Sequence, residues 1–394
     1  MQPRLSTNGL KIVVLALAAV VATAALTACG DRGKKQASDE LRTRLQQTLE
    51  SAVENQKTGF PGTVLYVSQP KLGTWTGAAG ESNIHPATPM RPNDTFGAGS
   101  IMKPFIATVV LQLVEEGKFG LDDPLPAVLP RDVVARVAEG DRITVRMLLN
   151  HTSGIPEYSD EQLDRVVLAH PKRIWKVEEF LARAAERKRP FEPGKGYAYS
   201  NTDYNLLGLV IEHATGQPWR AAVQDRIIDR LDLTHTSLPE PGHVSVGSDA
   251  ARGYELVNGK LRDVSDADPS MAGAAGGNGL VTTTEDLSRF LRALLAGRLF
   301  EQAKTLEAML TFVDAKSESG LPHGYGLGLE RYELPGGVKV IGHFGTGVGY
   351  RAFVGYAPAQ KIDIAIAFNT GQYAPGDPTP VIMRALELMA GEAS

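Results

Sequence analysis

Ser100 and Lys103 stand three residues apart in GAGSIMKPF, residues 97–105. An amine on the same helical face as a serine hydroxyl can take its proton and turn it into a nucleophile. The spacing alone discriminates nothing, because Ser68 and Lys71 in VSQPKLG share it. What separates the two pairs is the element beneath each. Ser68 and Lys71 flank Pro70 between two β-rich stretches, Gly62 to Ser68 and Thr74 to Gly77, so they fall at a hairpin where no helical turn joins them. Ser100 is followed by Ile106, Val109, Val110, Leu113 and Val114, an apolar helical face running to Gly117, which predicts a helix that starts at Ser100. Pro104 is tolerated only in its first turn, where the unpaired N–H groups also favour a developing oxyanion.

The elements that must position this pair can be read on either side of it. Leu41, Leu45, Leu49 and Val53 recur every four residues and predict an amphipathic helix from about Ser38 to Gln56. Between Leu121 and Thr236 the patterns are helical, at Thr144 to Asn150, Val177 to Arg187, Tyr204 to Ala214 and Trp219 to Leu231, with no clear strand. A helix from Thr284 to Leu295 with Thr284 as its N-cap follows, then strands at Val338 to Gly342, Tyr350 to Tyr356 and Ile362 to Phe368, and a closing helix at Val381 to Met389. Strands near both ends with helices between them predict an α+β fold. An antiparallel β-sheet is flanked by helices, and an all-helical subdomain is inserted at roughly 100–300 of a catalytic domain covering 38–394.

Composition narrows the function classes. The 394 residues are 43% hydrophobic and 22% charged, and 41 basic against 45 acidic residues leave a formal charge of −4, which weighs against a nucleic-acid partner. Eight histidines without a His-Glu-x-x-His, and a single cysteine, predict no metal site, and no cofactor is expected. Arg4 and Lys11 precede an apolar run from Ile12 to Leu26, the pattern of an export signal over residues 1–28. Leu26-Thr27-Ala28-Cys29 resembles a bacterial lipobox, with Cys29 as the lipid attachment site and an incidental free thiol as the alternative. Residues 29–37 then read as a flexible tether. The expected location is exported and lipid-anchored on the extracytoplasmic side of a bacterial membrane.

Three further stretches accompany the first: LLNHTSGIPEY (148–158), YAYSNTDY (197–204) and GHFGTGVGY (342–350). In this order the set resembles the serine β-lactamase and penicillin-binding family, in particular its class C and D-alanyl-D-alanine carboxypeptidase branch, from roughly Gly59 to Asn369. The resemblance implies a β-lactamase/transpeptidase-like fold. It makes Ser100 the nucleophile, Lys103 the amine of Ser-x-x-Lys, and Tyr199 and Asn201 the two named residues of Tyr-x-Asn. His343 and Gly345 take the place of the third motif, with Gly345 letting the substrate backbone lie against its strand. The N–H groups of Ser100 and Thr346 form the oxyanion hole. Either Lys103 or Tyr199 is the base for Ser100.

One departure concerns the substrate. Where many members of the family carry threonine, this chain has Phe344, which cannot donate to a substrate carboxylate, leaving Arg331, Arg351 or Thr346 as replacements. His151 to Gly154 is read as a structural turn outside the site, and Gly276, Gly277 and Gly279 as permitting close packing beside it. No Gly-x-Ser-x-Gly occurs, so a nucleophile-elbow hydrolase is excluded. The implied activity is a serine acyl-enzyme hydrolase of cell-wall peptides, D-alanyl-D-alanine carboxypeptidase-like, with peptidoglycan as a partner and the membrane reached only through the lipid. The alternatives are a class C-like β-lactamase, an esterase or amidase of the same fold, and a non-catalytic sensor of cell wall or β-lactam.

Overall fold

The computed structural model describes residues 36–54, 60–243, 247, 250–276, 279–315, 323–334, 337–374 and 376–391. The expected leader, Cys29, most of the tether and Gly277 lie outside the described residues.

Nine antiparallel strands form one sheet: β1 (Gly62–Gln69), β2 (Gly73–Ile84), β3 (Ala87–Pro89), β4 (Val313–Ala315), β5 (His323–Tyr325), β6 (Glu330–Glu333), β7 (Lys339–Gly347), β8 (Tyr350–Ala357) and β9 (Ile362–Phe368). Their spatial order is β3-β2-β1-β9-β8-β7-β6-β5-β4. The N-terminal hairpin joins the C-terminal strands where Thr63 faces Phe368 and Ser68 faces Asp363. All seven residues of β9 are buried, as a central strand covered on both faces requires.

Helices cover both faces of the sheet. On one, α1 (residues 36–54) and α5 (Thr379–Gly391) pack Leu41, Leu45, Leu49, Ile382 and Met389 against Leu65, Ile364 and Phe368. On the other lies α2 (Met102–Glu115), in which every residue from Met102 to Leu113 is buried, so it is apolar nearly all round. α3 (Asn201–Thr215) packs against α2, and α4 (Thr284–Leu295) packs against β1, β8 and β9.

Several expectations shift by a few residues. A 3-10 turn at Gly99–Ile101 carries Ser100, and the α-helix proper begins at Met102. Asn201 rather than Tyr204 opens α3, and the cap of α4 is Thr283, whose side chain accepts the Asp286 N–H, not Thr284. The pattern from Trp219 to Leu231 divides into an α-helical part, Trp219–Val223, and a π-helical part, Gln224–Asp229. The Ser68 and Lys71 pair falls at the β1–β2 hairpin, with Ser68 opposite Thr74.

Candidate active site

Two glycines let the turn bearing Ser100 cross β7 at contact distance. Gly99 has a φ of +57°, and a Cβ there would lie 2.6 Å from the backbone of Thr346. A Cβ on Gly345 would lie 2.1 Å from the carbonyl oxygen of Ala98. The missing side chain of Gly345 makes room for the chain's own turn. Gly276 behaves as expected: a Cβ there would meet Gly99 O at 2.6 Å, so the Pro269–Ala275 turn also closes on Ser100.

Lys103, fully buried on α2, sits beneath this crossing. Its Nζ lies 3.0 Å from Ser100 Oγ, 2.7 Å from Asn201 Oδ1 and 2.6 Å from Ala275 O, with the Tyr199 ring centroid at 4.7 Å. Burial pulls its pKa down to about 7, against the opposing charges of Glu157, Glu330 and Asp203. The acceptors dictate the direction of proton transfer. Asn201 Oδ1 and Ala275 O can only accept, so in the neutral amine two protons stay on them and the lone pair faces the Ser100 hydroxyl.

Tyr199 is bonded to Ser100 but buried, and burial raises its pKa well above the ordinary tyrosine value. Its hydroxyl is neutral at physiological pH. His343 does not promote its ionisation, because the imidazole is engaged elsewhere: Nδ1 contacts Phe344 O at 2.6 Å and Nε2 contacts Tyr325 OH at 3.0 Å. The carbonyl can only accept, so the proton resides on Nδ1, and Nε2 accepts from Tyr325. Tyr325, which no sequence motif marks, stands between His343 and Tyr199, its ring 6.0 Å from that of Tyr199. Glu330 accepts the Phe344 N–H at 2.8 Å and the Tyr332 hydroxyl. Although burial opposes it, the neighbouring His343 and His323 hold its pKa down to about 2.

His151, expected outside the site, lies against it. It is fully buried, with its ring 4.4 Å from Tyr199 and 4.6 Å from Tyr325. Nδ1 lies 3.0 Å from Asp203 Oδ2, while Ser153 Oγ donates to Asp203 Oδ1 at 2.6 Å. Its backbone takes a φ of +59°, sparsely populated for a residue with a side chain and held here by that packing.

A cleft opens over Ser100, with Asn201 and Thr346 on its lining. Its walls are apolar at Tyr158, Leu163, Val167, Met271 and Val348, and Asp164 and Glu255 supply two carboxylates. No lysine or arginine is among the described residues that line it. Of the three expected partners for a substrate carboxylate only Thr346 reaches the cleft. Arg351 donates to Thr370 O at 3.1 Å, Thr370 Oγ1 at 3.0 Å and Gly376 O at 2.5 Å, and Arg331 lies over the Phe312 ring at 4.8 Å. Phe344 packs with Phe353 into the core between the sheet and the terminal helices.

A family model described as Beta-lactamase matches residues 41–385. The structure of a D-stereospecific amidohydrolase from Streptomyces sp. superposes with a TM-score of 0.77 at 37% identity, covering 86% of this chain and 97% of that one. A D-amino acid amidase from Ochrobactrum anthropi SV3, complexed with L-phenylalanine, gives 0.77 at 25% identity, covering 89% and 99%. Esterase EstB from Burkholderia gladioli is 32% identical over 201 residues, 49% of this chain, and the match spans only 50% of the esterase.

Proposed function

The chain belongs to the Beta-lactamase family, and from that membership we propose that it is a serine hydrolase forming an acyl-enzyme on Ser100, with amides of D-configured amino-acid residues as its acyl donors. The observation that carries the chemistry is the Lys103 amine, whose other two partners can only accept and whose lone pair is thereby left for the serine. Lys103 takes the Ser100 proton as Oγ attacks the carbonyl carbon. The resulting oxyanion is received by the N–H groups of Ser100 and Thr346. The proton on Lys103 then returns through Tyr199, a neutral hydroxyl bonded to Ser100, to the leaving nitrogen. Water adds to the acyl-enzyme by the same route in reverse and frees Ser100.

The substrate class rests on the cleft. Peptides ending in D-Ala-D-Ala and β-lactams both bring a carboxylate, and the described lining offers carboxylates rather than cations to meet it. Neutral or amine-bearing amides fit that lining better, and the likeness to a D-stereospecific amidohydrolase and a D-amino acid amidase supports the D configuration. Carboxypeptidase activity on stem peptides is the second reading, favoured by the position of Thr346 in the cleft. The leader pattern supports export and lipid attachment at Cys29; loss of processing in globomycin tests it.

The test is a panel of D- and L-alanine amide, D- and L-leucine amide, a D-Ala-D-Ala stem peptide, a chromogenic cephalosporin and a p-nitrophenyl ester, run with wild type and Ser100→Ala. D-amides are expected to react at least about tenfold faster than their enantiomers, an energy of about 1.4 kcal/mol, and faster than the stem peptide releases D-Ala. Faster release from the stem peptide overturns the substrate assignment, and turnover by Ser100→Ala overturns the chemistry.

A further inference from the structure

α3 opens without a cap of its own. Ser200, the N-cap residue, makes no side-chain bond to the helix, and its hydroxyl is turned to Pro156 O at 3.3 Å. The segment Pro156–Glu157 does the capping from outside. Pro156 O also accepts the Thr202 hydroxyl at 2.7 Å, and Glu157 Oε2 accepts the Asn201 N–H at 2.5 Å. Glu157 Oε1 is fixed in turn by the Ser159 N–H at 2.7 Å. The residue so held is the one whose Oδ1 receives Lys103, so a carboxylate is joined to the amine beside Ser100 through a single residue, Asn201, by its backbone N–H on one side and its side chain on the other.

We propose that Glu157 is a positioning residue for the acylation step, fixing Asn201 against Lys103 and setting the proton affinity of that amine by its charge. The inference rests on the reading of Lys103 as the base for Ser100.

Glu330 and Asp203 act on Lys103 in the same direction as Glu157, but neither is bonded to Asn201. Asp203 on α3 is spent on His151 and Ser153, and burial favours its neutral form. Glu330 on β6 is committed to the Phe344 N–H and the Tyr332 hydroxyl. His151 and His343 oppose a charge on the amine only when protonated, and burial keeps both below their ordinary range. The Tyr199 and Tyr204 rings present their faces and carry no formal charge. Glu157 accepts the backbone N–H of the residue whose side chain touches Nζ; burial raises its affinity for a proton, and the Lys103 charge opposes that rise.

The test is the acid limb of kcat/KM for a D-amino-acid amide, which reports groups of the free enzyme. Glu157→Gln removes the charge at constant size, and its limb is expected about one pH unit lower. Glu157→Asp keeps the charge but shortens the reach to Asn201. Its kcat is expected to fall about tenfold with the limb in place. A limb that stays put in Glu157→Gln, or moves in Glu157→Asp, overturns the proposal, and each variant suffices alone if the other does not fold. A wild-type profile with no limb near neutrality fails the base reading instead, before any variant is made.

Discussion

Replacing Gly345 with alanine tests whether the crossing of β7 over the 98–101 turn is what assembles the site. The added Cβ would lie 2.1 Å from Ala98 O, and a carbon and a carbonyl oxygen tolerate no less than about 3.3 Å. Strand and turn must separate by about 1 Å, a displacement that can cost about 100-fold in rate. Thr346 follows Gly345 directly, so the opening draws its N–H away from the oxyanion. Loss of one such donor costs about 2.7–4 kcal/mol, or about 100- to 1000-fold in kcat. The assay is steady-state hydrolysis of a D-amino-acid amide, with circular dichroism and a thermal melt to confirm that the variant is folded. Gly247→Ala serves as the control, since a Cβ there meets nothing within 4 Å among the described residues. A folded Gly345→Ala enzyme with kcat within about threefold of wild type, well under the loss expected for a misplaced donor, would refute the reasoning.

Three further outcomes follow from the electrostatics. Lys103 acts as a base only when unprotonated, so kcat/KM should rise with pH through about 7, the value to which burial lowers it. Lys103→Arg, which cannot lose its proton, should remove that limb and lower the rate by about 10²–10⁴-fold. Asp164 lines the cleft, and burial raises its pKa although Tyr373 and Gln372 donate to it. Asp164→Asn should raise the stem-peptide rate relative to the D-amide rate by about fivefold, about 1 kcal/mol of removed repulsion. An unchanged ratio in the same substrate panel would place the discrimination elsewhere.

Legibility in the sequence followed length and periodicity. β1, β9 and α2 are long uniform elements whose apolar pattern survives without neighbours, and the boundaries read for β9 match the structure. β4 and β5 have three residues each and β6 has four, too few for a period to emerge. Tyr325 was lost with them. Ser100, Lys103, Tyr199 and Asn201 were found as motif residues, and the structure brings them together at Lys103 Nζ and the Ser100 hydroxyl. His343 was found too, but its partner, Tyr325, lies on another strand, and no local pattern announces a hydrogen bond across a sheet. In the sequence His151 only ends a helical segment. Only the folded chain shows that this turn presses an imidazole on the ring of Tyr199. At Gly345 the sequence shows that room is needed, and the structure shows the Ala98 carbonyl occupying part of it.

The central claim is the covalent one, and intact-mass measurement addresses it directly. Wild type mixed briefly with a D-amino-acid ester and quenched in acid should carry one acyl group, mapping to the peptide that contains Ser100, and Ser100→Ala should carry none. An adduct that persists in Ser100→Ala, or maps to a different residue, would contradict the account.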